Sequence, residues 1–215
     1  MQLYRIEFGS LLSYSPRCNS ESAQRSRTTM NALKDDEYVS SPPILMSDFV
    51  GAAIKANITH LPFAHLFQTN PILVPVPRSS LTRPGTLWVP QRLAKALVRR
   101  GLGKGVEECV KRVTPVRKSA TSLAANRPKA DEHYDSMAVQ KVFPEPQEIL
   151  LVDDIITRGA TVMGAANKLA EAFPAAHIRV FAAMRTISPP DIFTDTMAPC
   201  IGTIELKGID TFRRP

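Results

Sequence analysis

An apolar strand running directly into two adjacent carboxylates constrains this chain more than any other stretch. Residues 148–161 read Glu-Ile-Leu-Leu-Val-Asp-Asp-Ile-Ile-Thr-Arg-Gly-Ala-Thr. The apolar residues 149–152 show no polar alternation, which is the pattern of a strand buried on both faces, as in a parallel sheet covered by helices. The strand is expected to stop at Asp153 and Asp154. A small-residue turn then leads into a helix over 162–173, whose Ala, Leu and Lys content and apolar spacing suit that state. The unit is strand, acidic pair, turn, helix, and it predicts an α/β fold.

That order has a chemical use. At the carboxyl end of a parallel strand, the turn and the first helical amides direct free N–H groups at one spot, where the helix dipole favours an anion. Thr157 and Thr161 add hydroxyl donors, Gly159 lets the backbone come close to a ligand, and Arg158 and Ala160 complete the turn. The carboxylates of Asp153 and Asp154 are acceptors for vicinal sugar hydroxyls or for a hydrated magnesium ion. Phosphate at one end and sugar hydroxyls nearby describe a pentose 5-phosphate site. Receiver domains also carry acidic pairs after apolar strands, but only about sixty residues follow Asp154, too few for their layout. A solvated loop with two exposed carboxylates is the other alternative.

Residues 151–161 resemble the phosphoribosyl-pyrophosphate (PRPP) motif of type I phosphoribosyltransferases: an apolar strand, two acids, two variable positions, then Thr-x-Gly-x-Thr. Arg158 departs from the small residues more usual there. The resemblance implies a parallel-sheet, Rossmann-like core over 70–187, with a small cap, or hood, built from an extension over 1–69 and a segment over 188–215. It assigns residues 157–161 to the 5-phosphate and Asp153 and Asp154 to the ribose. It implies magnesium carried with PRPP or pyrophosphate instead of a metal held by protein ligands alone.

Two further loops fit this frame. Residues 71–80, Pro-Ile-Leu-Val-Pro-Val-Pro-Arg-Ser-Ser, form an apolar strand and its terminal loop. In an open parallel sheet such loops gather at one edge. In the family resembled, this loop holds pyrophosphate, a task suited to Arg78 and the amides around Ser79 and Ser80, since guanidinium grips phosphate oxygens in a fork. The alternative is a Pro-rich turn with an exposed Arg. Residues 111–129 are the most basic region, and in the family a basic, hydroxyl-rich loop at this place closes over PRPP. Arg117 and Lys118 are the catalytic candidates there and Arg127 a pyrophosphate ligand; the alternative is a solvated basic segment.

The pattern is similar to the ComF-like branch in particular, through 74–77, Arg83, 91–94 and 117–127, although the cysteine-rich zinc segment is missing. Two functions follow from the resemblance: transfer of ribose 5-phosphate to or from a base or nucleotide, or a non-catalytic or toxin-like PRPP-binding role linked to DNA uptake or phage defence. The second brings nucleic acid or an antitoxin-type protein as partner, and a homodimer is compatible with either.

Among 215 residues, 44% are hydrophobic, enough for a core, and the net charge of +7 suits nucleic acid or polyphosphate ligands equally. Cys18, Cys109 and Cys200 are too far apart for a zinc ribbon and read as free thiols in a reducing cytoplasm. No apolar run approaches the roughly twenty residues that cross a bilayer, so no membrane partner is expected.

Along the chain, 3–8 reads as a half-buried strand and 13–43 as a polar stretch, either a disordered linker or a polar helix over 23–34. A helix capped at Ser47-Asp48 is expected over 46–58, and a helix over 90–100 with Leu93 and Leu97 on one face. Residues 106–113, 137–143, 177–184 and 201–212 are expected to be strands. His60, His65, His133 and His177 show no metal spacing and read as ordinary histidines.

Overall fold

The computed structural model describes residues 3–117 and 128–215. Its centre is β8 (Glu148–Ile156), which pairs in parallel with β4 (Ile72–Pro75) on one side and β9 (His177–Thr186) on the other. Beyond β4 lies the short β5 (Gly105–Val106), and beyond β9 lies β1 (Arg5–Tyr14), both parallel to their neighbours. An antiparallel hairpin, β10 (Met197–Lys207) and β11 (Asp210–Arg214), completes the edge, giving the order β11-β10-β1-β9-β8-β4-β5. The fold is thus mixed α/β around a predominantly parallel sheet.

The uninterrupted apolar run of β8 follows from burial on both faces. Ile149 and Leu151 pack with α6 (Ala160–Ala172), through Val162, Ala166 and Leu169. Leu150 and Val152 pack on the opposite face with α1 (Glu21–Asp35), α2 (Met46–Asn57) and α4 (Val89–Arg99), through Leu33, Val50, Ile54, Leu93 and Leu97. Every second residue of a strand points the same way, so two covered faces demand apolar residues at every position.

Several expectations are corrected. The central strand does not stop at the carboxylates but carries them within β8 to Ile156, because β9 continues to pair alongside, Asp153 opposite Ala182 and Ile156 opposite Arg185. The terminal strands do not build a separate cap. β1 runs to Tyr14 and, with β10, joins the main sheet, since β9 would otherwise leave an unpaired edge of backbone donors and acceptors. The strand expected over 106–113 is two short ones, β5 and β6 (Val110–Arg112), and the one over 137–143 is only β7 (Met137–Val139). β6 and β7 pair with each other in a ribbon outside the main sheet.

The polar stretch after β1 holds α1, capped by the Ser20 hydroxyl accepting from Ala23 N–H at 3.2 Å, and then the short antiparallel pair β2 (Tyr38–Val39) and β3 (Ile44–Leu45); the one-turn α3 (His65–Gln68) precedes β4. The first turn of α2 takes its cap from elsewhere. Asp36, in left-handed conformation at the end of α1, accepts from Ser47 N–H at 2.8 Å and from the Ser47 hydroxyl at 3.2 Å, and also pairs with Arg92 at 2.9 Å. One buried carboxylate therefore ties α1, α2 and α4 together. Cys18, Cys109 and Cys200 are free thiols, and no helix among the described residues is long and apolar enough to cross a membrane.

Candidate functional site

Parallel pairing brings the ends of β4 and β8 side by side: Pro75 stands opposite Val152, and Val76 N–H donates to Val152 carbonyl at 2.9 Å. The loop after β4 therefore lies next to the acidic pair. Between them opens a cleft of about 680 Å³, lined among others by Arg78, Ser79, Arg117, Asp153, Asp154 and Thr161. Residues 155–161, with Asp153, line a smaller adjoining pocket of about 100 Å³. Ser80 is half-buried beside the cleft and does not line it, while Lys118 and Arg127 lie outside the described residues.

The acidic pair is not neutralised by any described cation of the protein. Asp153 is buried and Asp154 half-buried, and their hydrogen bonds come from the local backbone: Asp154 N–H to Asp153 at 3.0 Å and Ile155 N–H to Asp154 at 2.7 Å. Burial, and after it the neighbouring charge of Asp154, pushes the Asp153 carboxyl well above the usual range. A carboxylate in that state favours anything that brings positive charge or hydroxyl hydrogens.

The turn after β8 is tight. Gly159 precedes the helix with φ of 89°, left-handed backbone that disfavours a side chain, and a Cβ there would also meet Ile204 within about 3 Å. Thr157 and Arg158 are exposed, and Thr157 Oγ1 lies 3.4 Å from Thr186 Oγ1. The amino end of α6 opens into the small pocket, which suits an anion.

Two cleft residues escaped the sequence reading, Arg112 and His133. Arg112, on β6, is 5% exposed and makes no ion pair among the described residues. Its Nε donates to Arg78 carbonyl at 2.9 Å, its Nη1 to Ser136 Oγ and, at 3.4 Å, to His133 carbonyl, and its Nη2 reaches His133 Nδ1 at 3.4 Å. Burial lowers its pKa to about 10. The available signal was its inward position in β6, two residues after the buried Val110, in a strand where an arginine is costly. Arg78 itself donates from Nη1 to Leu87 carbonyl at 2.7 Å, so part of its guanidinium holds its own loop in shape.

His133, on α5 (Ala130–Asp135), links Arg112 to Thr161, whose Oγ1 lies 3.2 Å from Nε2. Arginine can only donate, so Nδ1 accepts and Nε2 carries the hydrogen toward Thr161. The Thr161 hydroxyl hydrogen is then left for a ligand. Burial, and after it the charge of Arg112, pushes the His133 pKa down to about 4 from an ordinary 6.5. The unfolded chain therefore takes up a proton over that window while the folded one does not. Stability is expected to fall on acidification from pH 6.5 to 4 by up to about 3 kcal/mol from this residue. Urea unfolding across that range should show a shallower fall for His133→Gln; equal slopes would refute the assignment.

No family model matches the chain, and no curated protein matches it. Among solved structures, a hypoxanthine phosphoribosyltransferase from Staphylococcus aureus is similar over 76% of this chain and 74% of its own, with 11% identity and a TM-score of 0.32. At that score the likeness decides neither fold nor activity. The chemistry of the cleft has to be read from its own residues.

Opposite charges are held apart in it. Among the described residues Asp153 has no cationic partner and Arg112 no carboxylate, although both line the same cleft. A buried charge left unpaired costs several kcal/mol. Among the described residues no group of three or more His, Cys, Asp or Glu side chains is placed to hold a metal, so a divalent cation at the acidic pair would need ligands from a bound molecule and water.

Proposed function

We propose that the protein is a PRPP-dependent phosphoribosyltransferase, moving ribose 5-phosphate to or from a nitrogenous base with magnesium pyrophosphate as the co-product. The observation that carries this reading is the pair of uncompensated charges of opposite sign, Asp153 and Arg112, on the walls of one cleft. A ligand that satisfies both must offer hydroxyls or a cation to one and anionic oxygens to the other. The turn at 157–161 adds a third subsite, for a terminal phosphate. PRPP carries vicinal hydroxyls, a 5-phosphate and a pyrophosphate on one small ring.

In this reading Asp153 and Asp154 accept from the ribose hydroxyls. The first amides of α6, with the hydroxyls of Thr157 and Thr161, hold the 5-phosphate. Arg78, the amides around Ser79, Arg112 and Arg117 face the pyrophosphate; for Ser80, and for Lys118 and Arg127 outside the described residues, that role rests on the family resemblance alone. The acidic pair, lacking a protein cation among the described residues, fits a hydrated magnesium ion that arrives with the pyrophosphate; when bound, the ion supplies charge that stabilises the leaving group. The sugar-to-pyrophosphate bond loosens toward an oxocarbenium-like state, so the residues act chiefly by holding charged pieces in place. Thr157 is no general base, and deprotonation of the incoming base falls to the substrate or to another residue.

The test is incubation with PRPP, magnesium and a panel of bases and nucleotides, read by mass spectrometry beside an Asp153→Asn/Asp154→Asn control. A new nucleotide or free base in the wild-type reaction alone is expected. Product that persists in the control contradicts the site. PRPP binding without product from any base favours the non-catalytic ComF-related role, and salt-sensitive DNA binding without PRPP binding overturns the transferase reading.

A further inference from the structure

A second pocket, of about 590 Å³, shares Thr157 and Arg158 with the small pocket at the 157–161 turn and shares no lining residue with the acidic cleft. Thr157 and Arg158 form its near wall; Arg185, Ile187 and Ile192 come from the end of β9 and the segment after it, and Arg213 from β11. Asp210 is the acidic side chain among its lining residues, and its carboxylate lies 3.7 Å from Lys129 Nζ.

Two guanidiniums here lack a counter-charge. Arg185 is 9% exposed, and both of its hydrogen bonds use Nη1, to Ser10 Oγ at 3.2 Å and to Ala198 carbonyl, so Nε and Nη2 have no partner among the described residues. Arg213 donates from Nη2 to Thr186 carbonyl, and its buried Nε and Nη1 have no partner among them either; its guanidinium stands 5.6 Å from the Phe8 ring centroid. Burial, and after it the charge of Arg185, lowers the Arg213 pKa to about 10. Like charges placed together away from water are normally balanced by an anion. Here no ion pair within the described chain supplies one.

We infer that this pocket binds a flat ring bearing a carboxylate, the anion meeting Nε and Nη2 of Arg185 with Arg213 behind it, and the ring lying against Ile187 and Ile192. The inference deepens the reading above and rests on it only for the ring's role as acceptor, since Thr157 lines both this pocket and the phosphate cradle. Recognition of the anion stands on the pocket alone. Acidic bases, in place of neutral ones, are then the substrate class.

Isothermal titration of the full chain with matched pairs, nicotinate against nicotinamide and orotate against uracil, with and without PRPP and magnesium, tests it. The acid of at least one pair is expected to bind about tenfold or more tightly than its neutral partner, as a charge-assisted bond requires. Arg185→Gln should erase that preference and Arg185→Lys should keep part of it. Equal affinities within both pairs, no binding of either acid at millimolar concentration, or a preference that survives in folded Arg185→Gln overturns the inference. The wild-type comparison decides even where a variant fails to fold. Acid preference without PRPP binding overturns the transferase reading and leaves this one standing; PRPP binding without acid preference does the reverse.

Discussion

Asp153→Asn/Asp154→Asn is expected to abolish PRPP–magnesium binding while raising the melting temperature of the ligand-free protein. Asp153 is buried beside a second carboxylate, and its carboxyl is pushed well above the usual range by burial first and Asp154 second. Between the ordinary carboxylate range and that raised value, the folded state holds a proton the unfolded chain has released. The ligand-free protein therefore loses stability as pH rises through the window, and the loss is complete above it. Asparagine removes the charge, so the variant's stability should stay flat with respect to this group. At neutral pH the gain is about 1–3 kcal/mol, comparable to replacing other uncompensated buried ions. That corresponds to a rise in Tm of about 2–12 °C for a chain of this size. The same change removes both charges and turns one acceptor oxygen of each carboxylate into an amide donor at the sugar end of the cleft, and PRPP should no longer bind at concentrations that saturate the wild type. Thermal melts against pH, paired with PRPP titration, check both halves. A variant that melts lower, or still binds PRPP, would sink the idea that the acidic pair is a ligand site held at the expense of stability.

Gly164→Val is expected to destabilise the fold and loosen the cleft together. Gly164 sits on the face of α6 that packs against α5, where a Cβ would come within 2.7 Å of His133 Cβ, 2.8 Å of Tyr134 N and 2.9 Å of Ala130 carbonyl oxygen. Two of those neighbours are backbone atoms, which cannot swing aside as a side-chain tip can. Forcing a branched side chain into that contact costs about 3 kcal/mol as overpacking, a fall in Tm of about 6–12 °C. The least damaging relief moves α5 away, and His133 with it, lengthening the 3.2 Å contact with Thr161 and withdrawing His133 from Arg112. PRPP affinity should then fall beyond what the lost stability explains, even well below the melting temperature. Calorimetry at low temperature separates the two effects. A Gly164→Val variant with unchanged Tm would show that the helices are not in the close contact described.

The local elements were the most legible part of the chain. The double-sided apolar run of β8, the helix after it and α4 with Leu93 and Leu97 all follow from periodicities and compositions spanning a few residues. The turn with Gly159, and the loop after β4 with Arg78 and Ser79, could be placed at one sheet edge because parallel strands put their carboxyl ends together. Legibility failed where a residue's state depends on a distant partner. The stop expected at Asp153 was wrong because β9 keeps pairing past it, and pairing is decided across the sheet. The cap of α2 came from Asp36, eleven residues before Ser47, instead of from a neighbour.

By itself, then, the sequence determined a buried strand carrying an acidic pair, a small-residue turn through Gly159 and a helix, since these depend on contacts within about one turn or one strand. Only the tertiary structure decided that both termini extend the main sheet, that Arg112 and His133 enter the cleft, and that Arg185 and Arg213 share a second pocket. Those outcomes depend on which strand edges find each other and which charges are left without partners. The chain's local pattern carries no record of either, because long-range pairing and desolvation exist only once the fold has closed.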